Sequence, residues 1–428
     1  MSETALNAWL RKIEAMHPAS IELGLDRVKH VAGLLGLGKP ASCVISVAGT
    51  NGKGSTVAFV ESIARAAGLR VGAYTSPHIL AFNERIRIDG QDVDDATLVR
   101  AFERIDAARQ DTALTYFEFT TLAALCVFED ATLDLAVLEV GLGGRLDAVN
   151  LVDADVAIVT TVDIDHTDWL GTDREAIGAE KIGIARAGKP VVIGDDDPPS
   201  SVLRRAYTLG APAIRINCDF FFGRNTASTW LWRTLGGERE LPMPRLTAPV
   251  QLRNAAMAVA ALEASPLSIP ESAYAAGVAS AHVAGRLQYR QVDGIPLYID
   301  VAHNAQAAAA LEQWLAANPI AGSTRAVLAM LADKDAAAVF EALDAEIAQW
   351  YLAALGGARG QTAESLAAKG KRDASDYRTH ETVAQALDAA IAASSSADRI
   401  IVLGSFHTVA EAFTHLAKRE GEGARSGV

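Results

Sequence analysis

Residues 49–56 are the part of this sequence whose types and spacing point most directly to chemistry. They read Gly-Thr-Asn-Gly-Lys-Gly-Ser-Thr, after the apolar run 43–48 and before a helical pattern over 56–67. In such a turn the backbone N–H groups, the positive end of the following helix and the charge of Lys53 all favour a bound anion. The segment therefore predicts a cradle for the phosphates of a nucleoside triphosphate.

The spacing of this phosphate loop is unusual. Only Thr50 and Asn51 separate its first two glycines, whereas the common loop has four residues before Gly-Lys. Gly54 then separates the lysine from Ser55, where the common loop has serine or threonine directly. A glycine-rich connection between a strand and a helix can also be an ordinary turn, but the compact pattern favours a phosphate site.

Three further polar side chains follow predicted buried strands, namely Ser76, Glu139 and His166. Because ligands bind at the carboxyl ends of strands in open α/β sheets, these residues are candidate ligands for a metal beside the nucleotide. Each also has an ordinary interpretation. Ser76 precedes a proline and could open a turn, Glu139 could cap a loop, and His166 lies among aspartates and could be a surface residue.

Two segments in the second half of the chain occupy the same kind of position. Residues 300–304 and 404–408 each end a predicted strand, precede a predicted helix and contain a histidine. Two such segments favour an edge that faces a ligand. The alternative is that Asn304 and Ser405 serve only as N-caps, for which both residue types are well suited.

The composition limits the partners of the chain. Its 428 residues include 39 Lys and Arg against 52 Asp and Glu, a formal net charge of −13. This charge argues against nucleic-acid binding, because it repels a phosphate backbone. No apolar run approaches the roughly 20 residues that span a bilayer, and the first residues lack a signal-peptide pattern.

The cysteines indicate the compartment. Cys43, Cys126 and Cys218 show no paired spacing and are interpreted as free buried thiols in a reducing environment. Together with the charge and the absence of a predicted span, this interpretation predicts a cytoplasmic protein with no membrane or nucleic-acid partner.

Apolar runs alternate with helical patterns along the chain, which predicts an α/β fold with mostly parallel sheets covered by helices. Residues 214–245 interrupt this alternation and predict a short antiparallel excursion, and the alternation restarts near residue 287. We therefore predict two domains, 1–286 and 287–428. The predicted strands are Val44–Ala48, Val71–Tyr74, Leu135–Val140, Val156–Val162, Pro190–Ile193, Leu297–Val301, Arg325–Met330, Gln349–Leu355 and Arg399–Gly404. The predicted helices include Thr56–Ala67, Asp95–Ala108, Phe119–Phe128, Arg174–Arg186 and Asn254–Ala264.

Six segments occur here in the order in which one known family has them. The chain resembles the bacterial dihydrofolate synthase/folylpolyglutamate synthase family, within the Mur ligase superfamily, from about residue 23 to about residue 410. The six segments are Gly49–Ser55, Ser76–His78, Leu138–Asp147, Asp165–Gly171, Glu180–Ile184 and Asp300–Asn304.

The resemblance implies the Mur ligase architecture, with a P-loop ATPase-like N-terminal domain and a smaller, Rossmann-like C-terminal domain. It also implies an ATP-dependent amide ligase. ATP would phosphorylate a carboxylate of dihydropteroate or tetrahydrofolate, and the amine of L-glutamate would displace phosphate from the acyl phosphate. The implied cofactors are ATP and Mg²⁺ at two positions, the expected state is a monomer, and a monovalent-ion requirement stays open.

The resemblance also implies roles for individual residues. The implied catalytic residues are Lys53, Glu139, His166, Lys181 and His303. The implied metal ligands are Ser76, Glu139, His166 and Lys181 as a carbamate. The implied ATP-binding residues are Thr50, Asn51, Gly52, Lys53, Gly54, Ser55, Thr56, Asn254, Arg286 and Asp300.

The substrate sites follow from the same resemblance. In the implied pterin pocket, Phe117 would stack on the ring and Asp147 would accept hydrogen bonds from its amino edge. Without the family, Tyr116 and Phe117 could equally be core residues. The pocket comprises Glu22, Leu23, Gly24, Leu25, Thr115, Tyr116, Phe117, Glu118, Leu146, Asp147 and Ala148. Glutamate would lie near His303, Ser405 and His407.

Three other interpretations compete with the bifunctional ligase. A peptidoglycan-type Mur ligase usually has a separate N-terminal domain, for which the 48 residues before the phosphate loop are too few. A nucleotide-gated switch would need neither Glu139 and His166 nor the helix of Lys181. A monofunctional folylpolyglutamate synthase would keep the ligase chemistry without using dihydropteroate.

Overall fold

The computed structural model describes residues 4–17 and 21–426 of the chain. The chain forms two compact units, the first comprising the residues up to 245 with 251–282 and the second comprising 246–250 with the residues from 283 onward. The helices are α1 (Ala5–Glu14), α2 (Asp26–Leu35), α3 (Lys53–Ala66), α4 (Asp95–Ala108), α5 (Tyr116–Ala131), α6 (Thr167–Leu170), α7 (Arg174–Lys181), α8 (Ser200–Leu209), α9 (Val250–Glu263), α10 (Glu271–Ser280), α11 (Ala305–Ala317), α12 (Ala336–Leu343), α13 (Ala363–Ala367), α14 (Val383–Ala392) and α15 (Phe406–Ser426).

The strands alternate with these helices as predicted. In the first unit they are β1 (Ala41–Ala48), β2 (Val71–Tyr74), β3 (Ile86–Ile88), β4 (Gln91–Asp92), β5 (Leu133–Glu139), β6 (Val156–Val159), β7 (Val191–Ile193), β8 (Ala213–Arg215), β9 (Phe220–Arg224), β10 (Thr229–Thr234) and β11 (Gly237–Pro242). In the second unit they are β12 (Gln288–Val292), β13 (Ile295–Ile299), β14 (Thr324–Leu328), β15 (Gln349–Ala353), β16 (Tyr377–His380) and β17 (Arg399–Leu403).

The first unit is built on an eight-stranded sheet in the order β4-β3-β2-β5-β1-β6-β7-β8. The pairings from β2 to β8 in this order are parallel, and β3 pairs antiparallel with both of its neighbours, β2 and β4. The central strands are buried on both faces, which explains their continuous apolar runs. Their carboxyl ends lie along one edge of the sheet, where the phosphate loop follows β1.

The predicted antiparallel excursion is present as a three-stranded sheet in the order β11-β10-β9. The turn between β10 and β11 includes Gly236. Trp230 is completely buried in this small sheet, and its indole N–H donates to the carbonyl of Pro242 at 3.0 Å.

The second unit has a six-stranded sheet in the order β12-β13-β17-β14-β15-β16. All of its neighbouring strands are parallel except β12 and β13. Two α/β units with mostly parallel sheets confirm the predicted fold class.

The boundaries of two predicted helices differ from the structure for local reasons. Helix α3 begins at Lys53 rather than Thr56, because Gly52 adopts a left-handed conformation with φ 87° directly before it. Helix α7 ends at Lys181, and a 3₁₀ turn over Ile182–Ile184 replaces its predicted last turn. Gly183 lies within that turn, where a residue of low helix propensity weakens the α-helix.

The cysteine interpretation is correct in part. All three thiols are free, and Cys43 and Cys126 are buried, but Cys218 is exposed, so the prediction that it is buried is wrong. Within the described residues none of the helices is both long enough and apolar enough to cross a membrane.

Candidate active site

The phosphate loop connects the end of β1 to the start of α3. The ammonium group of Lys53 folds back over the loop and donates to the carbonyl oxygens of Gly49 and Thr50, at 2.9 and 3.2 Å. The hydroxyl of Thr50 donates to the carbonyl of Asp163 and accepts from the backbone N–H of the same residue, at 3.0 and 2.9 Å. These bonds hold the loop against the segment after β6, which carries His166.

Two glycines of the loop are required by close contacts. A Cβ atom at Gly49, whose φ is 148°, would lie 1.8 Å from Oγ1 of Thr160. A Cβ atom at Gly52 would lie 2.6 Å from Oδ1 of Asn254. Asn254 is therefore packed against the phosphate loop, and it is buried and hydrogen-bonded to Gln251 at 3.0 Å. The structure thus places this predicted ATP-binding side chain beside the loop.

A pocket opens where three carboxyl ends of strands and the end of α7 meet. Its wall combines the phosphate loop, the glycine-rich loop after β5 and the segment after β6, so the structure brings together residues predicted from separate parts of the sequence. The lining residues are Gly49, Thr50, Lys53, Val140, Gly141, Leu142, Gly143, Asp165, His166 and Lys181.

Lys181 is an unusual member of this pocket because its side chain is almost completely buried, with a residue exposure of 4%. Burial, together with the nearby charge of Lys53, lowers the pKa of Lys181 to about 7, while Asp165 opposes this shift. A cation is disfavoured where water is excluded, so a substantial share of this amine is neutral at neutral pH. A neutral amine is a nucleophile and can react with carbon dioxide to form a carbamate.

The glycine-rich loop fixes the position of Lys181. A Cβ atom at Gly144 would lie 2.6 Å from the carbonyl oxygen of Glu180 and 2.9 Å from that of Lys181. The backbone N–H of Arg145 donates to the carbonyl of Glu180 at 2.8 Å, and the two side chains form an ion pair at 2.7 Å. The last turn of α7 therefore lies directly on this loop.

Ser76 and Glu139 also meet, at the ends of the neighbouring strands β2 and β5. The buried Glu139 accepts a hydrogen bond at Oε2 from the backbone N–H of Ser76 at 3.1 Å. A carboxylate and a hydroxyl are oxygen donors of the kind that Mg²⁺ binds. Among the described residues no group of three or more His, Cys, Asp or Glu side chains is arranged to hold a metal. A metal here would therefore take further oxygens from phosphate, water or a modified lysine.

The residues predicted to form the pterin pocket surround the other end of the glycine-rich loop. They would bind the acceptor substrate, to which glutamate is added. A Cβ atom at Gly141 would lie 2.5 Å from Cζ of Phe117, so the aromatic ring lies against the backbone of the loop. The Phe117 ring is also 6.0 Å from that of Tyr74 and is only partly buried. An aromatic face beside the pocket is suited to stacking on a planar ring.

Asp147 is another residue predicted for the pterin pocket, and it lies in the same part of the site. Its buried carboxylate accepts hydrogen bonds from the backbone N–H groups of Leu142 and Val149, at 2.8 and 3.0 Å. Burial raises the pKa of Asp147 to about 7, although these bonds and the charge of Lys53 act in the opposite direction. The side chain thus changes from a neutral acid below that pH to a hydrogen-bond acceptor above it.

We expect the acceptor KM to depend on the charge of Asp147. Because the folded-state pKa is raised to about 7, the carboxylate is lost as the pH falls through that value, and the acceptor KM should rise. An Asp147→Asn variant should have a KM about tenfold higher above that pH, or ~1.4 kcal/mol, and this KM should no longer change with pH. Initial rates at several acceptor concentrations between about pH 6 and about pH 8 measure both effects. An Asn variant that keeps the wild-type pH profile would contradict the assignment.

The remaining predicted acceptor segments lie next to these. The backbone N–H of Gly24 donates to the carbonyl of Leu146 at 3.2 Å, which joins the segment before α2 to the segment of Asp147. Thr115 and Glu118 form a capping box at the start of α5. The Glu118 carboxylate therefore stabilises the start of α5, and it also forms an ion pair with Arg27.

In the second unit the predicted residues gather at the carboxyl ends of β13 and β17. The partly buried Asp300 accepts from the backbone N–H groups of Leu287 and Ala302, at 2.7 and 2.8 Å. Its pKa is raised by burial and held down by the neighbouring Arg286. The Arg286 guanidinium lies 5.3 Å from the centroid of the Phe406 ring.

The histidines and capping residues of this unit have distinct positions. Nδ1 of His303 is 2.8 Å from the carbonyl oxygen of Val301, and His407 is exposed. Asn304 caps α11, and Ser405 accepts from the backbone N–H of Thr408 at 3.0 Å at the start of α15. The capping interpretation of these two residues is confirmed, and their roles toward a ligand stay predictions.

Sequence reasoning missed the arginines that support the site. Arg87 forms an ion pair with Glu61 at 2.8 Å, and Arg85 donates through Nε to Nδ1 of His78 at 2.8 Å. Arg27 contacts two of the predicted acceptor segments. A lone arginine has no local pattern, and the buried carboxylates that Arg87 and Arg27 pair with lie 26 and 91 positions away, so no signal along the chain distinguishes these arginines from surface residues.

Comparison with known proteins places the chain in a family. Two family models match it, the Mur ligase middle domain over residues 47–234 and the Mur ligase glutamate ligase domain over residues 285–406. The chain is 45% identical to the dihydrofolate synthase/folylpolyglutamate synthase of Escherichia coli strain K12, covering 97% of each protein. It is 42% identical to the Haemophilus influenzae protein of the same name, covering 95% of this chain and 96% of the relative.

Solved structures agree with this assignment. The Escherichia coli FolC in complex with DHPP and ADP matches with a TM-score of 0.93 and 44% identity, covering 97% of this chain and 99% of that one. The Yersinia pestis bifunctional folylpolyglutamate synthase/dihydrofolate synthase complexed with AMPPNP and Mn ion matches with a TM-score of 0.90 and 45% identity, covering 97% and 98%. This chain therefore belongs to the dihydrofolate synthase/folylpolyglutamate synthase family of ATP-dependent Mur ligases.

Proposed function

We propose that this chain uses ATP to join L-glutamate to 7,8-dihydropteroate, giving dihydrofolate, and to add further glutamates to tetrahydrofolate. The observation that carries the proposal is the pocket in which the phosphate loop, the glycine-rich loop and Lys181 meet, with Phe117 and Asp147 at its acceptor end. These neighbouring groups support a proposed triphosphate site next to a proposed site for a planar ring with hydrogen-bond donors.

The reaction needs two displacements. A carboxylate oxygen of the acceptor attacks the γ-phosphorus of ATP, and ADP leaves with the electron pair of the broken P–O bond. The amine of glutamate then attacks the acyl carbon, and the tetrahedral intermediate collapses to an amide as phosphate leaves and the amine loses its proton. The products are one ADP, one phosphate and one amide for each glutamate added.

The residues of the pocket serve this chemistry mainly by position and charge. The backbone N–H groups of the phosphate loop and the ammonium of Lys53 bind the β- and γ-phosphates and neutralise the charge that develops on them. Asn254, packed on Gly52, supports the loop from behind. Mg²⁺ bound by Ser76 and Glu139 would supply further neutralisation of the phosphate oxygens.

Lys181 and His166 form the second group of oxygen and nitrogen donors that we assign to a metal. We infer that Lys181 is carbamylated, because its amine is buried, has a lowered pKa and lies beside Lys53. The carbamate is an anion, and so it would reverse the charge of the residue and pair with Lys53. His166 lines the same pocket.

The roles of the C-terminal unit are also part of the proposal. Arg286 and Asp300 are assigned to ATP, and His303 with the segment of Ser405 and His407 is assigned to glutamate. These groups gather at one edge of the second sheet, the carboxyl ends of β13 and β17, where ligands bind in open α/β folds.

A monofunctional folylpolyglutamate synthase is the second candidate. The chain is 34% identical to the Lacticaseibacillus casei folylpolyglutamate synthase, covering 72% of this chain and 76% of that one. The higher identity and coverage toward the bifunctional relatives support the bifunctional assignment.

The free thiols and the net charge of −13 support a cytoplasmic location.

Release of ADP tests this function directly. The purified chain is supplied with Mg²⁺, ATP and L-glutamate, and either dihydropteroate or tetrahydrofolate is added in separate reactions. We expect glutamate-dependent ADP release with both acceptors. Release with tetrahydrofolate alone would favour the monofunctional enzyme, and release with neither would refute a folate ligase.

A further inference from the structure

We propose that Arg27 is a positioning residue that assembles the acceptor pocket, an inference that rests on the proposed function. Arg27 lies in the first turn of α2, and its side chain is 26% exposed. It is not one of the predicted site residues, yet it contacts two of the segments assigned to the pterin ring.

The first contact is with Glu118 on α5. Nε of Arg27 donates to Oε2 of Glu118 at 3.3 Å, and Nη2 lies 3.1 Å from Oε1. The Glu118 carboxylate is 3% exposed, and it also accepts from the backbone N–H of Thr115 at 2.8 Å. Among the described residues Arg27 is its ion-pair partner. Without that cation a buried carboxylate would lose most of its compensation.

The second contact is with Glu22. Nη1 of Arg27 donates to the carboxylate of Glu22, and Nη2 donates to the Glu22 carbonyl oxygen at 3.1 Å. One planar guanidinium therefore binds a side chain and a backbone group of the segment that precedes α2, in addition to Glu118. Its fork of donors suits this geometry, which a lysine cannot reproduce.

These contacts join three parts of the pocket. The segment held through Glu22 continues to Gly24, whose N–H donates to the carbonyl of Leu146, directly before Asp147. The other partner, Glu118, caps the helix whose first turn carries Phe117. Arg27 thus fixes the aromatic face of Phe117 and the segment beside the Asp147 carboxylate relative to each other through its protein partners, and it is not among the residues that line the pocket.

Arg104 offers a matched control at the opposite end of the same helices. Its Nη2 atom donates to Glu129, near the end of α5, at 2.6 Å and to the carbonyl of Leu35, the last residue of α2, at 3.3 Å. An Arg104→Met variant therefore removes an arginine that joins α2 and α5 but lies away from the pocket.

Steady-state kinetics of Arg27→Met, Arg27→Lys and Arg104→Met test the proposal. We expect Arg27→Met to raise the KM for dihydropteroate about tenfold, or ~1.4 kcal/mol. Its KM for ATP and its kcat should change by less than about twofold, and Arg27→Lys should recover part of the loss. Arg104→Met should leave all three constants near wild type. Arg27 and Glu118 interact with each other, so their effects should not add. Glu118→Gln should raise the KM for dihydropteroate less in the Arg27→Met background than in the wild type.

Hydrogen exchange of the free protein gives a readout that needs no turnover. The Gly24 amide should exchange faster in Arg27→Met than in wild type and remain protected in Arg104→Met, because only the former releases its segment. An unchanged acceptor KM, or equal losses in every constant with the same drop in melting temperature as Arg104→Met, would overturn the proposal. A wild-type protein that uses neither acceptor would refute the proposed function instead, and Gly24 exchange would then decide the positioning role alone.

Discussion

Replacing Lys53 with alanine should lower kcat for ADP release by about a hundredfold to a thousandfold, or ~2.7 to ~4 kcal/mol. The substitution removes the cation whose ammonium lies over the phosphate loop, at 2.9 Å from the carbonyl of Gly49. In the proposed role, only backbone dipoles and a bound metal would then neutralise the charge on the transferred phosphoryl group. We expect Lys53→Arg to retain part of the activity, because arginine keeps the positive charge but spreads it over a planar guanidinium instead of a compact ammonium.

Lys189→Ala is the control for this prediction. Lys189 is half exposed and pairs with Asp155 at 3.2 Å on the same unit, so its loss should leave kcat within about twofold of wild type. The melting temperatures of the wild type and the three variants, measured with and without ADP, separate a catalytic loss from a folding loss. Retention of more than about a tenth of wild-type kcat in Lys53→Ala, ~1.4 kcal/mol or less of barrier, would remove Lys53 from this role.

Replacing Lys181 with methionine should lower kcat by about a hundredfold, an effect of ~2.7 kcal/mol. Methionine has a similar length and tolerates burial, so the variant should fold while losing the group that we assign to carbamate formation. Wild-type activity should fall when dissolved carbon dioxide is removed and return when bicarbonate is added. The activity that remains in Lys181→Met should not respond to bicarbonate.

Direct observation of the modification completes this test. Electron density at Lys181 in crystals grown with bicarbonate should extend beyond Nζ by a planar carboxyl group. A bare amine under these conditions, combined with wild-type turnover in Lys181→Met, would show that the buried Lys181 side chain contributes to packing and not to catalysis. The Lys189→Met variant controls for non-specific modification of exposed lysines.

Most strands of the central sheet could be predicted from the sequence because that sheet is buried on both faces. The strand Val71–Tyr74 and the helix Asp95–Ala108 have the bounds that their patterns predict. The strand Gln288–Val292 was missed, since most of its residues are exposed at the edge of the second sheet and it has no apolar alternation. The strand Tyr377–His380 was missed because only its tyrosine is buried and its other three residues are polar, whereas Val71–Tyr74, of the same length, is buried throughout.

The site was predictable only where a local motif carries its chemistry. The glycines and lysine of the phosphate loop and the glycine-rich segment after Glu139 stand out in the sequence, and the structure brings them to one pocket. The low pKa of Lys181 was not predictable from the residues around it, because it arises from burial and from Lys53, which is far away along the chain. The role inferred for Arg27 likewise depends on Glu118, 91 positions away.

The contact between Gly141 and Phe117 has a consequence for how this protein can diverge or be redesigned. Since a single methyl group at position 141 would overlap the Phe117 ring, position 141 cannot take a larger residue while position 117 keeps its phenylalanine. Gly141→Ala alone should displace the ring, whereas a smaller side chain at 117 would make room for it. Libraries that aim at new acceptors should therefore randomise the two codons as a pair, because one-at-a-time scanning would discard partners that work only together.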